Sequence, residues 1–338
     1  MADLRKEKKT KSVLVISTKD SELTTEFVMD WILFKKHQVE RLNGDDISKS
    51  NTEIEISKTG LCVNNSKLKT VFDSIWFRRW GSTALFLNGI RNSLSSEIKD
   101  PDLLKSVIHY ITLSHQSLKD YILQDYLKGK KWLTDFSQVD VKKLNVLSHA
   151  VSCSLNIPDF IVTDTKDSLF KFYKKMNKKI VVKDIDAPFA NFIGADIFVS
   201  FTELLDEQKI HDLPDNFVIS FFQEFIDKEF DIRTFYLNEK FYSMCIFSQK
   251  NEHTKIDFRK FSTKYPNRRV PFQLPKKLED KLRILMKRLN LVTGSIDILK
   301  GKDNKYYFLE VNPVGQFGMV SRPCNYNLEE KVADFLIK

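Results

Sequence analysis

The chain has 338 residues, of which 29% are charged and 42% are hydrophobic. These proportions are ordinary for a folded protein and exclude intrinsic disorder as the default, and the length favours two or three lobes over one small core. The formal net charge of +9, locally dense at residues 171–179 and 259–269, favours an anionic partner such as a nucleotide, an acidic peptide or a nucleic acid, although for any single lysine a solvated surface is the simpler explanation.

The four cysteines lie far apart, without a C-x-x-C pair and without a histidine at metal-ligand spacing. This pattern predicts reduced, mostly buried thiols and a cytoplasmic protein. The N-terminus is basic but no apolar segment follows it, and no run of about 18 apolar residues, the length of a membrane helix, occurs anywhere. We therefore expect neither secretion nor a membrane-spanning helix.

The N-terminal part of the chain begins like an α/β domain. An apolar run at residues 12–17 is followed by an amphipathic stretch at 24–36 and by a second strand-like run at 38–43. This order predicts the β-α-β start of a doubly wound domain. Because no G-x-G-x-x-G follows the first strand, we do not expect a dinucleotide site there.

Two further strand regions follow in this part. Alternating polar and apolar residues at 52–63 predict a hairpin. The strand predicted at 71–81 contains Arg78 and Arg79 near its end. These arginines either bind a substrate or are solvated charges at the end of a strand.

Helical periodicity dominates the next stretch. We predict helices at 98–127 and 137–156, the second ending before Pro158, and then a separate β-α-β unit over 157–185. The first lobe therefore ends near residue 130. No internal repeat or low-complexity linker separates it from the rest of the chain.

The pattern of the remaining chain predicts an α+β arrangement built around antiparallel sheet. Its predicted elements are a strand at 217–226, a hairpin at 230–247, a helix at 277–291, a hairpin at 294–313 and a short helix at 328–338. The second hairpin carries an unusual set of polar residues.

Glu310 and Asn312 lie two positions apart in the last strand and therefore face the same way. Asp297 lies in the strand before it. Two carboxylates and an amide make a hard oxygen site suited to Mg²⁺, which binds through a few carboxylates and the phosphates of a nucleotide. The alternative is a solvated hairpin face that ends in a turn at residues 313–315.

The register of this hairpin decides whether the three side chains converge. If Lys300 pairs with Lys305 across the turn, Asp297 lies opposite Phe308 and diagonal to Glu310, on the same face. We therefore expect the three oxygen-bearing side chains to meet on one side of the hairpin.

Two lysines are candidates for binding a polyanion. Lys183 is the only charge at the end of an apolar strand, where an ammonium needs a compensating anion such as a triphosphate. Lys143 lies on a predicted helix and is the weaker candidate, because helices carry many solvated lysines.

The stretch from 223 to 233 carries a second group of candidates. The backbone around Glu224, with Phe225 and Ile226 packing beside it, is suited to read the edge of an adenine. Asp231 and Arg233 share a strand face, where the carboxylate could accept from ribose hydroxyls and the guanidinium could hold a phosphoryl group. Either could instead belong to a surface ion pair that contributes little.

Taken in order, Lys143, Lys183 and the segments QEFI, DIR, SID and LEVN resemble the motifs of the ATP-grasp ligases over roughly residues 130–325. The resemblance implies an α/β N-terminal pre-ATP-grasp domain at 1–130, followed by an α+β ATP-grasp fold. Its central subdomain would span 131–212 and its C-terminal subdomain 213–338. The two subdomains would enclose ATP together with Mg²⁺.

The resemblance also implies roles for individual residues. Lys143 and Lys183 match the phosphate-binding lysines, residues 224–226 the adenine hinge, and Asp231 the ribose contact. The implied magnesium ligands are Asp297, Glu310 and Asn312. The implied catalytic residues are Arg233 and Lys183 beside the phosphates and Arg259, which faces the phosphate or a peptide carboxylate.

Within the superfamily, the segments IDFR, GSID and LEVNPVGQF look most like the synthetases that cyclise ribosomal peptides, the graspetide or microviridin-type maturases. That branch implies activation of Asp or Glu side chains as acyl phosphates and ring closure by Thr or Ser hydroxyls or by Lys amines. It also implies a precursor peptide with a leader and an acidic core as partner, and a homodimer.

One departure from the superfamily is plain, since the region 186–198, where many members have a glycine-rich flap, contains only Gly194. Other readings remain open. A glutamate-ligase-like enzyme would add an amino acid to a small molecule or a protein terminus. A nucleic-acid-binding protein would use the positive charge and the aromatic residues but would leave the SID and LEVN pair unexplained, and an inactive scaffold would bind peptide alone. We expect no nucleic acid or membrane partner.

Overall fold

The computed structural model describes residues 9–19, 22–47, 52–58, 60–64, 66–68, 72–81, 83–127, 131–186, 190–193, 196–251, 254–260 and 266–338. The chain forms two compact units. Unit 1 contains residues 1–139 together with 327–338, and unit 2 contains residues 140–326. Among the described residues, no helix is both long and apolar enough to cross a membrane.

Unit 1 is built on a four-stranded sheet with the order β2-β1-β6-β7, in which each neighbouring pair runs parallel. Its strands are β1 (Ser12–Ser17), β2 (Gln38–Asn43), β6 (Ser74–Phe77) and β7 (Lys131–Trp132). The apolar residues of β1 are completely buried, as expected for a central parallel strand. The predicted β-α-β start is confirmed.

The helices and short strands of unit 1 surround this sheet. They are α1 (Leu23–Phe34), α2 (Gly44–Ile47), β3 (Ile54–Ser57), β4 (Gly60–Val63), β5 (Ser66–Lys67), α3 (Thr83–Leu94), α4 (Pro101–Asp120), a π-helical turn (Tyr121–Tyr126), a 3-10 turn (Phe136–Gln138) and α10 (Leu328–Leu336). The predicted hairpin at 52–63 is confirmed as β3 and β4. The helix α3 was missed.

Unit 2 contains two larger sheets. The first has the order β12-β9-β13-β8 and is antiparallel. Its elements are α5 (Lys143–Ser152), β8 (Phe160–Thr165), α6 (Lys166–Lys175), β9 (Ile180–Lys183), β12 (Glu203–Leu205), α7 (Glu207–His211) and β13 (Asn216–Glu224). The predicted β-α-β unit is present as β8, α6 and β9, with β13 inserted between its two strands.

Between β9 and β12 lies a separate hairpin of β10 (Ala190–Ile193) and β11 (Asp196–Val199). It occupies the position of the expected flap. Gly194 is the one glycine of the predicted flap region, and it lies outside the described residues.

The second sheet of unit 2 has the order β16-β15-β14-β17-β18 and is entirely antiparallel. Its elements are β14 (Lys228–Leu237), β15 (Lys240–Phe247), β16 (Arg268–Phe272), α8 (Lys276–Arg288), β17 (Thr293–Gly301), β18 (Tyr306–Asn312) and α9 (Gly318–Cys324). One face of this sheet contributes to a core with α5 and α8. Both predicted hairpins are confirmed.

The contacts of the chain differ from the sequence-based division in two places. The sheet of the expected central subdomain continues through Glu224, past the boundary at residue 212, because β13 pairs with β8 and β9. Residues 327–338 cluster with unit 1 rather than with the preceding chain, where Lys35 of α1 lies 2.8 Å from Glu330 and 3.1 Å from Asp334 of α10. The three-part division by domain remains a prediction.

Candidate active site

A cavity within unit 2 is lined by residues of β9, β13, β14, β17 and β18. Its lining brings together most of the residues singled out in the sequence: Lys143, Lys183, Glu224, Phe225, Ile226, Asp231, Arg259, Asp297 and Glu310. Arg233 and Asn312 lie on the same two strands as Asp231 and Glu310. Residues separated by more than 150 positions in the sequence thus meet at one site.

Lys183 is the last residue of β9, and its Nζ donates a hydrogen bond to Oε1 of Gln223 at 2.8 Å. The partner is a neutral amide, which does not neutralise the ammonium. Burial therefore lowers the pKa of Lys183 to about 8, with the nearby Glu310 opposing that shift. A half-buried cation whose one side-chain hydrogen bond among the described residues goes to an amide is suited to bind an anion.

Lys143 begins α5 and reaches the same cavity from the other side. Its Nζ donates to the carbonyl of Asp184 at 2.5 Å and lies 3.7 Å from Oε2 of Glu310. Although helical lysines are commonly solvated, only 14% of this side chain is exposed. The two lysines predicted from the sequence are therefore both present at the cavity.

The carboxylates Asp297 and Glu310 are direct partners across β17 and β18. The expected register, with Lys300 opposite Lys305, is wrong, because Lys300 pairs with Tyr306. A β-bulge then shifts the pairing by one residue, leaving Leu309 without a partner in the ladder. The bulge places Glu310 beside Asp297.

Arg233 lies on the other side of Asp297, on β14. Its Nη1 donates to both carboxylate oxygens, at 2.9 and 2.6 Å. Burial and the charge of Glu310 raise the pKa of Asp297 to about 6, and Arg233 opposes the rise. One guanidinium and two neighbouring carboxylates, Arg233, Asp297 and Glu310, thus form one row across three strands.

Asn312 ends β18 opposite Ser295 and is exposed. Its Oδ1 accepts the N–H of Val314 at 3.0 Å, and its carbonyl accepts the N–H of Gly315 at 3.1 Å. A Cβ on Gly315 would lie 2.6 Å from Cβ of Ser295, so the turn needs glycine for close approach rather than as a simple strand stop. Asn312 shares the face of Glu310.

The segment predicted as an adenine hinge lies at the end of β13. The Oε2 of Glu224 accepts the N–H of Asp159 at 3.2 Å, and the N–H of Phe225 donates to the carbonyl of Lys179 at 3.0 Å. Within the described part of the chain, the N–H of Ile226 has no hydrogen-bond partner. This leaves a backbone donor at the cavity that is suited to the edge of a planar heterocycle.

Asp231 is more enclosed than the sequence suggested. Its Oδ1 accepts from Nζ of Lys228 at 2.7 Å, and its Oδ2 accepts from Oγ of Ser248 at 2.6 Å. Burial raises the pKa of Asp231, while Lys228 opposes the rise. Both oxygens of Asp231 thus already accept a hydrogen bond. Lys228 also lines the cavity, and its ammonium is better placed to donate to a ligand than the Asp231 carboxylate is to accept from one.

Arg259 reaches the cavity from the loop between β15 and β16. Its Nη2 donates to Oδ2 of Asp257 at 2.6 Å and its Nε to Oδ1 at 2.9 Å. This guanidinium holds the pKa of Asp257 below its usual range despite burial. The carboxylates of Glu310 and Asp297 also favour the charged form of Arg259.

Sequence reasoning missed Lys228, Gln223 and Asp257 as members of this site. Lys228 and Gln223 had the signal of a polar residue within an apolar strand, beside QEFI and FDIR. Asp257 lies in a loop whose sequence has no periodic pattern. Its place at the cavity depends on contacts with residues far away in the chain.

In the described part of the chain, no group of three His, Cys, Asp or Glu side chains is arranged to hold a metal ion alone. The donors near the cavity are instead two paired carboxylates and a neighbouring amide. Hard oxygen ligands of this kind fit a cation that completes its shell with phosphate oxygens and water. Chemically, the cavity offers a backbone donor at one end and paired acids among cations at the other.

Comparison with known proteins shows the fold. No family model and no curated protein matches the chain. Among solved structures, the RiPP-associated ATP-grasp ligase of Chryseobacterium gregarium, in complex with ADP and a leader and core peptide, is 21% identical, with 97% of this chain and 96% of that chain covered at a TM-score of 0.80. The chain has the ATP-grasp fold.

Two further ATP-grasp structures match as fully. The macrocyclase MdnC of Microcystis aeruginosa, bound with the precursor peptide MdnA, is 21% identical, with 96% and 99% of the two chains covered at a TM-score of 0.76. The ATP-grasp ligase PsnB, complexed with minimal precursor, Mg and ADP, is 14% identical, with 96% of each chain covered at a TM-score of 0.73. The predicted ATP-grasp architecture, including the α/β domain before it, is confirmed.

Proposed function

We propose that this chain is an ATP-dependent ligase that closes macrocycles in a ribosomally made precursor peptide. It activates Asp or Glu side chains as acyl phosphates, which Thr or Ser hydroxyls convert to ω-esters or Lys amines to ω-amides. The observation that carries the proposal is the pairing of Asp297 with Glu310 beside Lys143 and Lys183. Support also comes from the full-length likeness to two ligases bound to ADP and peptide and to a macrocyclase bound with its precursor peptide.

ATP would lie along the cavity with its adenine at the hinge. The free N–H of Ile226 is suited to the base, with Glu224 and Phe225 beside it, as proposed from the sequence. Lys228 and Asp231 lie next to it, so we assign the ribose end to this pair. Lys143 and Lys183 then lie towards the phosphates.

Asp297 and Glu310 would hold Mg²⁺, with Asn312 as a third oxygen donor on the same face. The fit rests on the two carboxylates being direct partners, which repel each other unless a cation lies between or beside them. Bound Mg²⁺ would supply neutralisation of phosphate charge during phosphoryl transfer.

The residues of the chain act mainly by position and charge. Transfer of the terminal phosphoryl group to a peptide carboxylate forms an acyl phosphate and ADP. A hydroxyl or amine of the same peptide then attacks the acyl carbon, a proton is lost from the attacking group, and phosphate leaves. Lys183, Arg233 and Arg259 stabilise the negative charge on the transferred group. No described side chain is assigned as a general base.

The expected partner is a precursor peptide with a leader and an acidic core. Arg259 and Lys260, and Arg268 and Arg269 at the start of β16, give the described part of the 259–269 segment a positive charge. Residues 261–265 of that segment lie outside the described residues. Acidic core residues are therefore expected to approach the cavity from this side.

Mass spectrometry tests the proposal. Short peptides encoded beside the gene, containing Thr, Ser or Lys together with Asp or Glu, are incubated with the protein, ATP and Mg²⁺. Cyclisation removes the mass of one water per crosslink. The alternative, a carboxylate–amine ligase, adds the mass of an amino acid residue instead. An unchanged peptide mass with every such candidate counts against both reactions.

We also propose a cytoplasmic homodimer. A reaction that consumes ATP fits the cytoplasm, as do the four free cysteines. The helix α4 exposes Leu103, Tyr110 and Leu113 by 54%, 70% and 54%, a set of apolar side chains suited to contact a second copy. Light scattering after size-exclusion chromatography measures the mass directly, and a monomer at all concentrations contradicts the proposal.

A further inference from the structure

A short loop segment crosses the edge of the cavity between β15 and β16. We call residues 254–260 the strap. At its start, Oγ1 of Thr254 donates to the carbonyl of Ser248 at 3.1 Å and to Oδ1 of Asn267 at 2.9 Å. Further along, the carbonyl of Ile256 accepts from Nζ of Lys228 at 3.3 Å. The strap is therefore attached both at its base and at the cavity wall.

Asp257 is the buried acid of the strap, with only 5% of its side chain exposed. Its carboxylate accepts hydrogen bonds from two segments of the chain, the strap itself and the residues that follow β11. It accepts from Nε and Nη2 of Arg259, and its Oδ2 also accepts the backbone N–H of Thr202 at 3.3 Å. Thr202 lines the same cavity and follows the β10–β11 hairpin.

A second contact joins the same two segments. The Nζ of Lys260 lies 4.9 Å from the centre of the Phe201 ring, within the range of a cation–π interaction. The base of the β10–β11 hairpin is itself tied by Oγ of Ser200, which donates to Asp184 at 2.7 Å. The strap thus contacts the residues that follow the hairpin at two successive positions.

The contacts of Asp257 determine the position of the Arg259 side chain. Its side chain is 42% exposed, unlike Arg233 at 13%, so packing alone does not fix it. Long exposed side chains lose conformational entropy when they are held in one orientation. The two hydrogen bonds that Asp257 accepts from Nε and Nη2 of Arg259 hold the guanidinium in one orientation.

We infer that Asp257 is a positioning residue that holds Arg259 at the terminal-phosphate end of the cavity and ties it to Thr202. This inference rests on the proposed function. The terminal phosphate is the end concerned because Arg259 lines the same cavity as Glu310 and Asp297, the proposed cation ligands. Asp257 itself makes no contact with substrate in this role.

Nucleotide binding separates a positioning role from a merely structural one. Isothermal titration measures the affinity of the full chain for MgADP and for the nonhydrolysable analogue MgAMPPNP. The ratio of the two affinities reports contacts to the terminal phosphate alone. The variants are Asp257→Asn, Arg259→Ala and the double variant, with Glu239→Gln, an exposed acid in an ion pair with Lys287, as matched control.

We expect Asp257→Asn to lower the preference for MgAMPPNP by about tenfold, equivalent to one hydrogen bond between charged groups, with MgADP affinity unchanged. Arg259→Ala should give the same loss, and the double variant should be no worse than Arg259→Ala, because both act through one guanidinium. The control should keep the wild-type ratio.

Three results overturn the inference. Equal weakening of MgADP and MgAMPPNP by Asp257→Asn assigns it a structural role only, and additive losses in the double variant separate it from Arg259. Unchanged affinities for both nucleotides remove its role altogether. If the wild-type chain binds neither nucleotide, the proposed function itself fails first.

A second pair of variants covers the case in which Asp257→Asn does not fold. Thr202→Pro removes the N–H that donates to Asp257, whereas Thr202→Ala retains it and is the matched control. We expect a smaller fall in the MgAMPPNP preference for Thr202→Pro than for Arg259→Ala. Identical ratios for Thr202→Pro and Thr202→Ala contradict the tie between the two segments.

Discussion

Lys183 shows at the scale of one residue how a strand end becomes a binding group. It ends β9 beside β13, and within the described part of the chain its Nζ makes one hydrogen bond, to the amide of Gln223. The sequence indicated this residue because an ammonium at the end of an apolar strand needs an anion. It could not indicate Gln223, which orients the ammonium without neutralising it.

The lowered pKa of Lys183 predicts a pH dependence of nucleotide binding. In the free protein the ammonium of Lys183 loses its proton near pH 8, whereas a bound phosphate stabilises the charged form of Lys183. The affinity for MgADP should therefore be constant below pH 8 and should fall by about tenfold for each pH unit above it. Titrations from pH 7 to 9.5 measure this.

The matched variant is Lys183→Arg, because a guanidinium remains charged throughout this range. Its affinity should be independent of pH even if it is lower than that of the wild type. The same decline in both proteins would assign the pH dependence to another group.

Glu310 and Arg233 lead to a prediction about turnover. Glu310→Gln keeps the shape but removes one proposed cation ligand, and Arg233→Ala removes a cation beside the transferred group. Either change should lower product formation by about 10³-fold or more while the chain remains folded. Mass spectrometry measures the product, and circular dichroism measures folding.

Asp303→Asn is the control for Glu310→Gln. It lies in the same hairpin and is equally exposed, at 42% against 43%, but it is not among the residues that line the cavity. Normal turnover by Glu310→Gln, or an equal loss in Asp303→Asn, removes Glu310 from the mechanism.

At the scale of elements, the spacing of apolar residues predicted most helices and hairpin strands. It did not predict the features that depend on the pairing of one strand with another. The strands of the two long hairpins, β1 and β2, and the helices α1, α6, α8 and α10 follow from apolar spacing. The elements β16 and α9 have short or interrupted patterns, with Pro271 in one and Pro323 in the other, and were not predicted. The bulge at Leu309 depends on the partner strand.

Gly315 offers a test of the turn that ends β18. A Cβ there would lie 2.6 Å from Cβ and 2.7 Å from Oγ of Ser295, so the end of the hairpin would have to move apart. We expect Gly315→Ala to lower the free energy of unfolding by about 1–3 kcal/mol and to weaken Mg²⁺-dependent nucleotide binding. Thermal unfolding and titration measure the two effects.

Gly89→Ala is the matched control, because no atom lies within 4 Å of a Cβ at that position in α3. Alanine is the better helix former there and should stabilise the chain by up to about 1 kcal/mol. If Gly315→Ala is as well tolerated as Gly89→Ala, the close approach to Ser295 is unimportant.

At the scale of the whole molecule, the chain ends in the unit where it began. The helix α10 buries Leu328, Val332, Ala333 and Leu336, and Oγ of Ser74 donates to the carbonyl of Leu336 at 2.7 Å. The sequence alone does not predict that α10 belongs to unit 1, because its amphipathic pattern shows that one face is buried but not which element covers that face. The cavity, in contrast, is lined by unit 2 alone.

This division predicts that damage to α10 and nucleotide binding can be separated. Val332→Asp places an unpaired charge at a completely buried position and should destabilise unit 1 by about 3–5 kcal/mol. MgADP should still raise the unfolding temperature of the remaining transition. Calorimetry with and without MgADP measures both effects.

Leu33→Asp, on the exposed side of α1, is the control of the same chemical type and should leave unit 1 stable. Loss of MgADP binding in Val332→Asp, with unit 2 still folded, would contradict the independence of the site.

The unpaired Leu309 has a consequence for how length changes act in this protein. Side chains in a strand alternate, so one added or removed residue exchanges inside for outside along everything that follows. Deleting Leu309 would instead restore a regular ladder with Glu310 still opposite Asp297 and Val311 still opposite Ile296, because Leu309 has no partner of its own. The acid pair therefore tolerates the loss of this one residue, whereas a second deletion before Glu310 would shift the register and turn the acid towards the apolar core.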